Sequence, residues 1–198
     1  MYKNNEIIQG IKKFHQEHAA QLPWDSKTIA QGQSPKIVML TCSDSRVVPH
    51  QVTNAQAGQL FMLRNAGNFV PAPGTGSSEE ASLAYAIDVL KVELAVVCGH
   101  THCGAVAALY GDTSSLDASI PLWLKNGGRA GDDASLLARV EHNVRSQVAR
   151  IKNLPCVRKA VDQKRLEVQG WLYNIETGQF TVCDESTGTF GPMDLCEN

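Results

Sequence analysis

Three short apolar runs constrain the fold of this 198-residue chain more than any other feature of its sequence. They are KIVMLTC (36–42), QLFMLR (59–64) and LAVVCG (94–99), and each has the length and the β-branched or aromatic content of a buried strand. Segments with helical periodicity separate or follow these runs. This alternation predicts an α/β fold with a mostly parallel central β-sheet flanked by helices.

Helical periodicity is clearest in three segments. Apolar residues at steps of three and four predict an N-terminal helix from residue 5 to about residue 20 and a long helix over 137–151. The segment 77–90 begins with Ser77 and Ser78, either of which can cap a helix that has glutamates in its first turn. These helices are expected to pack around the sheet.

The C-terminal third contains the last predicted strands. LEVQGWLYNIETGQFTVCD (166–184) consists of two β-rich runs around ETG and predicts an antiparallel hairpin. PLWLKNGGRAGDD (121–133) is predicted to be a loop within the domain, because one side alone could not complete the sheet. We therefore expect a single domain over residues 1–198, with an N-terminal helical arm over 1–22.

The charge balance argues against two classes of partner. Lys and Arg number 18, Asp and Glu number 20, and no block of like charges occurs, so nucleic acid and anionic membranes are not expected partners. The chain shows no signal-peptide pattern and no apolar run of membrane-spanning length, which predicts a cytoplasmic location. In that reducing compartment the six cysteines are expected to be core residues or metal ligands.

The first apolar run ends in an alternating polar motif, TCSDSRVVPH (41–50). Cys42, Asp44 and Arg46 occupy every second position, and residues two apart in an extended chain point the same way. A thiol, a carboxylate and a guanidinium should then project together from the end of the strand. Burying such groups is costly unless each has a partner. The motif therefore indicates a functional site.

The third run ends in VVCGHTHCGAV (96–106), which supplies further metal-binding side chains. His100 and Cys103 lie three positions apart, on one side of a helical first turn. Ligands in open α/β sheets bind beyond the carboxyl ends of the strands, where Cys42 is also expected. Two thiolates and an imidazole suit zinc, and a catalytic zinc has three protein ligands and one open position.

Asp44 distinguishes a structural zinc site from a catalytic one. As a fourth ligand it would close the metal, as structural sites are closed. Alternatively, Arg46 holds Asp44 off the metal in a bidentate pair, which leaves the fourth position to water. The spacing C-x-D-x-R favours the second interpretation, since a restraining guanidinium is unnecessary in a structural site.

Motifs along nearly the whole chain resemble those of the β-class carbonic anhydrases: CSDSRVVP (42–49), RNAGN (64–68), GHTHCG (99–104) and GWLYNIETG (170–178). The resemblance implies a zinc-dependent carbonate dehydratase, in which zinc-bound hydroxide reversibly hydrates CO₂ to bicarbonate and a proton. It implies one zinc per subunit, held by Cys42, His100 and Cys103, with Asp44 and Arg46 as the catalytic dyad.

The resemblance also assigns a substrate pocket. It implies that Gln33 hydrogen-bonds bicarbonate across a dimer interface and that the backbone N–H of Gly104 holds a bound oxyanion. Phe61 and Tyr85 match the family's apolar and aromatic wall residues. Ala66 falls where plant-type members often have valine, which implies a roomier wall.

The pattern resembles the plant-type branch of the family in particular. Met39 stands where the bacterial branch that closes its site with the aspartate has a tryptophan, so an open site is expected. The resemblance implies that the arm over 1–22 packs on a partner subunit. Homodimers or higher assemblies, from tetramers to octamers, are the expected states.

Two alternatives to a carbonic anhydrase stay open at this point. A carbonyl sulfide or carbon disulfide hydrolase on the same scaffold would share the ligands and differ in access to the pocket. A non-catalytic structural zinc protein would have Asp44 permanently on the metal. Among the remaining candidates, His50 is a minor one for a proton relay, whereas His102 is expected in a loop or beside the ligands. Packing roles are expected for Cys98, Trp123, Cys156, Trp171, Cys183 and Cys196.

Overall fold

The structure is a computed structural model that describes residues 5–17 and 26–194. The strands of its single six-stranded sheet are β1 (Ile37–Cys42), β2 (Leu60–Asn65), β3 (Leu94–His100), β4 (Glu167–Tyr173), β5 (Phe180–Cys183) and β6 (Phe190–Pro192). The strand order is β2-β1-β3-β4-β5-β6, with the first four strands parallel and the last two joined antiparallel. The predicted α/β fold with an antiparallel C-terminal part is therefore confirmed.

The helices are α1 (Asn5–Glu17), α2 (Ser26–Ala30), α3 (Pro49–Val52), α4 (Ser78–Ala84), α5 (Gly104–Ala108), α6 (Ser119–Leu124), α7 (Leu136–Lys152) and α8 (Pro155–Asp162). A π-helical turn, Tyr85–Val89, continues α4. Ser77 caps α4, because its side chain accepts a hydrogen bond from the Glu80 N–H. No helix in the described ranges is both long and apolar enough to cross a membrane.

The parallel register brings the polar ends of the strands to one edge. Cys42 pairs with Asn65 of β2, and Thr41 pairs with Cys98 of β3. The last residue of β3, His100, therefore lies at the same edge of the sheet as Cys42. This alignment follows from the apolar runs, which must overlap along their length to bury one another.

The core covers both faces of the sheet, as the alternation along β1 requires. Val38 and Leu40 belong to a buried cluster that includes residues of α7 and α8, whereas Met39 belongs to a second cluster with Tyr173. Helix α7 approaches β3 closely at Gly99, where a Cβ atom would lie 2.5 Å from Val144 Cγ2. Glycine is therefore needed for the helix to pack at this distance.

The loop prediction over 121–133 is wrong in its first part. Helix α6 runs from Ser119 to Leu124, and Pro121 lies in its first turn, where the missing N–H is not needed. Trp123 and Leu124 pack against a buried apolar cluster, so tertiary burial stabilises a helix that local composition does not favour. The hairpin prediction also missed β6, which adds a third strand to the antiparallel part.

The N-terminal helix is present as α1, from Asn5 to Glu17. The remainder of the predicted arm, residues 1–4 and 18–22, lies outside the described residues, as do His18 and Cys196.

Candidate metal centre

Three side chains from two strand ends meet at the carboxyl edge of the sheet. Cys42 ends β1, His100 ends β3, and Cys103 precedes α5. Their candidate ligand atoms all lie within 4.8 Å of one another, and the two sulfurs are 4.0 Å apart. Two thiolates on one tetrahedral zinc, at about 2.3 Å each, are about 3.8 Å apart. The spacing therefore fits a shared metal ion and is too long for a disulfide.

The ring of His100 is oriented as a metal ligand requires. Its Nδ1 lies 2.8 Å from the carbonyl oxygen of Thr101 and donates to it, so the proton sits on Nδ1 and Nε2 carries a free lone pair. Nε2 is buried and has no hydrogen-bond partner among the described residues. A buried polar atom without a partner is costly, and a bound cation would satisfy it. This orphaned nitrogen is the strongest sign that the three residues fit zinc.

The two thiols influence one another strongly. The pKa of Cys42 is lowered to about 4, mainly because the Cys103 thiol donates a hydrogen bond to it, against the opposing effect of burial. The N–H of Gly67 also donates to Cys42 Sγ, at 3.3 Å. The pKa of Cys103 is raised, first by that same bond to Cys42 and then by burial. A bound divalent cation would favour the thiolate form of both residues.

Asp44 is held by Arg46 in a bidentate pair beside this cluster. Arg46 Nε lies 3.0 Å from Asp44 Oδ1, Arg46 Nη2 lies 2.8 Å from Oδ2, and the Arg46 backbone N–H also donates to Oδ1. The hydrogen bonds from the guanidinium hold the pKa of Asp44 well below its usual range. Asp44 Oδ2 is 3.9 Å from His100 Nε2, which is beyond hydrogen-bond distance. The carboxylate is thus an ionised acceptor near the candidate ligands.

Arg64 fixes the loop that carries Asp44 and Arg46, and the sequence reasoning missed it. From β2 its guanidinium donates to the carbonyl oxygens of Cys42, Asp44 and Val47, at 3.1, 3.0 and 2.8 Å. One side chain thereby holds three carbonyl groups of the backbone around Asp44. The only signal was an arginine in RNAGN, on a strand that could neighbour β1.

The loop after β2 reaches the metal centre through Gly67. Asn65 closes this loop, because its side chain bonds both the N–H and the carbonyl oxygen of Phe69. Gly67 has φ +86°, and a Cβ atom there would lie 2.4 Å from the Phe69 ring. Only glycine fits this position, and its N–H then points at Cys42.

The predicted pocket residues do not all lie together in one chain. The rings of Phe61 and Tyr85 are neighbours, with centroids 6.0 Å apart, and Tyr85 is 45% exposed. Gly104 begins α5, directly after the ligand Cys103. Gln33 instead lines a separate groove of about 1210 Å³, together with residues of β1 and β5, and no candidate metal ligand lines that groove. A single chain therefore does not unite Gln33 with the metal centre.

The remaining candidates have ordinary environments. His102 lies beside the centre with φ +58°, and its Nε2 is 3.5 Å from a Glu176 carboxylate oxygen. Cys98 is buried in the core, as predicted, and burial raises its pKa to about 12. Every cysteine in the described part of the chain is free of disulfide bonds.

Comparisons with known proteins agree with this geometry. A family model described as carbonic anhydrase matches residues 37–180. A carbonic anhydrase of Pseudomonas aeruginosa is 37% identical, over 93% of this chain and 90% of that protein.

Two solved structures are also similar. The β-carbonic anhydrase CcaA superposes with a TM-score of 0.84 at 30% identity and covers 96% of this chain and 98% of its own. A tetrameric β-carbonic anhydrase from Sordaria macrospora gives a TM-score of 0.71 at 26% identity, over 90% and 92% of the two chains.

Proposed function

Because the chain belongs to the β-class carbonic anhydrase family, we propose that Asp44 and Arg46 are its catalytic dyad, beside zinc held by Cys42, His100 and Cys103. The protein is a carbonate dehydratase, which hydrates CO₂ reversibly to bicarbonate and a proton. The observation that carries the assignment is the unpartnered Nε2 of His100 next to two thiols 4.0 Å apart.

We assign to Asp44 the role of orienting the nucleophile. Zinc, when bound, supplies a Lewis acid that lowers the pKa of water to about 7, so hydroxide is available at neutral pH. The ionised Asp44 can only accept hydrogen bonds, because Arg46 keeps its pKa low. By accepting a hydrogen bond from the attacking hydroxide, the carboxylate would orient an oxygen lone pair toward CO₂. Arg46 holds the carboxylate in that position.

The pocket residues are assigned to the substrate and the product. CO₂ is apolar, so the side chains of Phe61, Ala66 and Tyr85 need only supply a dry wall. Negative charge develops on the product oxygens, and N–H groups placed there stabilise it. We assign this stabilisation to the backbone N–H of Gly104 and to Gln33 of a second subunit, since Gln33 lines a groove away from the metal centre of its own chain.

We further propose that the protein is of the plant-type branch, with an open zinc site. The bidentate pair between Asp44 and Arg46 supports this assignment, because a carboxylate engaged through both oxygens is restrained from closing the metal. Met39, at the position of the tryptophan of the closing branch, is buried in the core.

We also propose that one domain, residues 1–198, self-associates through its arm, residues 1–22, into dimers or higher assemblies. In α1, the part of the arm that the structure describes, Ile7 is 64% exposed and Ile11 is 49% exposed on one helix face. The groove that contains Gln33 is largely apolar, with Ile37 and Leu60 in its wall. A second copy that covers both surfaces would remove this apolar area from water. The cytoplasm stays the predicted location, which cell fractionation tests.

Stopped-flow CO₂ hydration on zinc-loaded protein tests the dyad. We expect the wild type to hydrate CO₂ far faster than buffer. Asp44→Asn should lose about 100-fold or more, because it replaces the ionised hydrogen-bond acceptor that orients the nucleophile. The zinc content of both proteins serves as the control. An unimpaired Asp44→Asn with full zinc would show that Asp44 has no catalytic role.

A further inference from the structure

The peptide bond between Ala66 and Gly67 connects the metal centre to helix α6. At one end, the Gly67 N–H donates to Cys42 Sγ, at 3.3 Å. At the other end, the Ala66 carbonyl oxygen accepts a hydrogen bond from Trp123 Nε1, at 2.8 Å. Both groups belong to one rigid plane, so the indole at the oxygen end fixes where the N–H points.

The next peptide is held from the other side by a buried amide. Asn143 of α7 is fully buried, and its Nδ2 donates to the Gly67 carbonyl oxygen at 3.1 Å. Its Oδ1 accepts from the Gly128 N–H and from Gln147 Nε2, at 2.9 and 3.1 Å. These bonds fix the orientation of the Asn143 amide. The peptides on both sides of Gly67 therefore have dedicated donors.

Glycine makes this support necessary. Because glycine has no side chain, its backbone is freer than that of any other residue type, and local sterics do not enforce the φ of +86° at Gly67. The Phe69 ring fills the space beside Gly67, and the Trp123 ring packs near Phe69, with centroids 6.1 Å apart. Trp123 thus both encloses the loop and anchors its carbonyl group.

We propose that Trp123 is a positioning residue of the zinc site, which aims the Gly67 N–H at the Cys42 sulfur and so tunes how strongly that sulfur binds the metal. The indole N–H, the peptide and the sulfur form a chain of hydrogen bonds in which each bond polarises the next. Substitution of a residue that positions a metal ligand typically weakens metal binding by about 10- to 100-fold. The inference rests on the proposed zinc ligands and adds a residue that touches none of the reacting atoms.

Trp123→Phe tests the inference, because it keeps an aromatic ring against Phe69 and removes the N–H donor. We expect about tenfold weaker zinc binding in competition with a chromophoric chelator. We also expect a displaced thiolate-to-metal charge-transfer band when cobalt replaces zinc. Trp171→Phe is the matched control, since its indole donates a bond of 2.7 Å to Gln169 on β4. This control should leave the zinc affinity and the cobalt band unchanged.

The outcomes separate this inference from the zinc assignment itself. If wild-type protein binds neither zinc nor cobalt, the assigned ligands are wrong. If the wild type binds both, and Trp123→Phe matches it in affinity and spectrum, Trp123 has no positioning role.

A measurement on the wild type does not depend on the folding of any variant. After loading with the spin-active cadmium isotope, the Gly67 amide proton should show scalar coupling to the metal through sulfur. A Gly67 amide without coupling would overturn the N–H···S contact on which the role of Trp123 depends.

Discussion

The pair formed by Asp44 and Arg46 has a geometric role rather than a stabilising one. Its guanidinium side is half exposed, and exposed ion pairs contribute little to the free energy of unfolding. The pair instead fixes the orientation of the carboxylate, since three hydrogen bonds from Arg46 converge on it. Arg64 adds to this by holding the backbone of the same loop. Arg46 therefore orients the Asp44 carboxylate, and Arg64 holds the backbone that carries it.

The low pKa of Asp44 predicts a pH dependence of stability. Its folded pKa lies below the ordinary value of 3.8, chiefly because of the hydrogen bonds from Arg46. The ionised group therefore stabilises the fold above the unfolded pKa, and this contribution is lost as the pH falls through the folded pKa. In metal-free protein, urea unfolding between about pH 5 and pH 2 should show a steeper loss of stability for the wild type than for Asp44→Asn. If the free energy of unfolding fell equally with pH in both proteins, Arg46 would not stabilise the carboxylate.

The close contact between α7 and the sheet at Gly99 predicts the effect of one substitution on packing. Gly99→Ala would place a methyl group 2.5 Å from Val144 Cγ2. We expect a loss of about 1–3 kcal/mol in the free energy of unfolding, measured by denaturant titration. Gly10→Ala in α1 is the control, because a Cβ there meets nothing within 4 Å and alanine favours the helix. Equal stability of the two variants would contradict the packing described for α7.

Self-association is the prediction that belongs to the whole molecule. The double substitution Ile7→Glu and Ile11→Glu puts charges on the exposed apolar face of α1, so we expect it to shift the assembly toward monomers in sedimentation velocity. Lys12→Glu, an exposed change on the same helix, should leave the assembly unchanged. A wild type that sediments as a monomer at micromolar concentration would refute an interface through α1. A double variant that stays assembled would do so as well.

The sequence predicted the parts of this molecule that local patterns determine. The candidate ligands were predictable because Cys42 ends one strand and His100 and Cys103 follow another at a spacing of three. The ion pair of Asp44 with Arg46 was predictable because the two residues alternate with Cys42. Helix α6 was not, since its proline and the glycines that follow it resemble a loop. The packing of Trp123 against a buried cluster stabilises the helix. Arg64 and Asn143 were missed for another reason. Their partners lie far along the chain and become neighbours only through strand register and the packing of α7.

Titration of metal-free protein with zinc, with the bound metal and CO₂ hydration measured on the same samples, tests the metal centre most directly. We predict that hydration rises in proportion to bound zinc and reaches its plateau at one zinc per chain, and that Cys42→Ser removes both tight binding and activity. Full occupancy with hydration no faster than in buffer would contradict the proposed site. Full activity in the metal-free protein would contradict it equally.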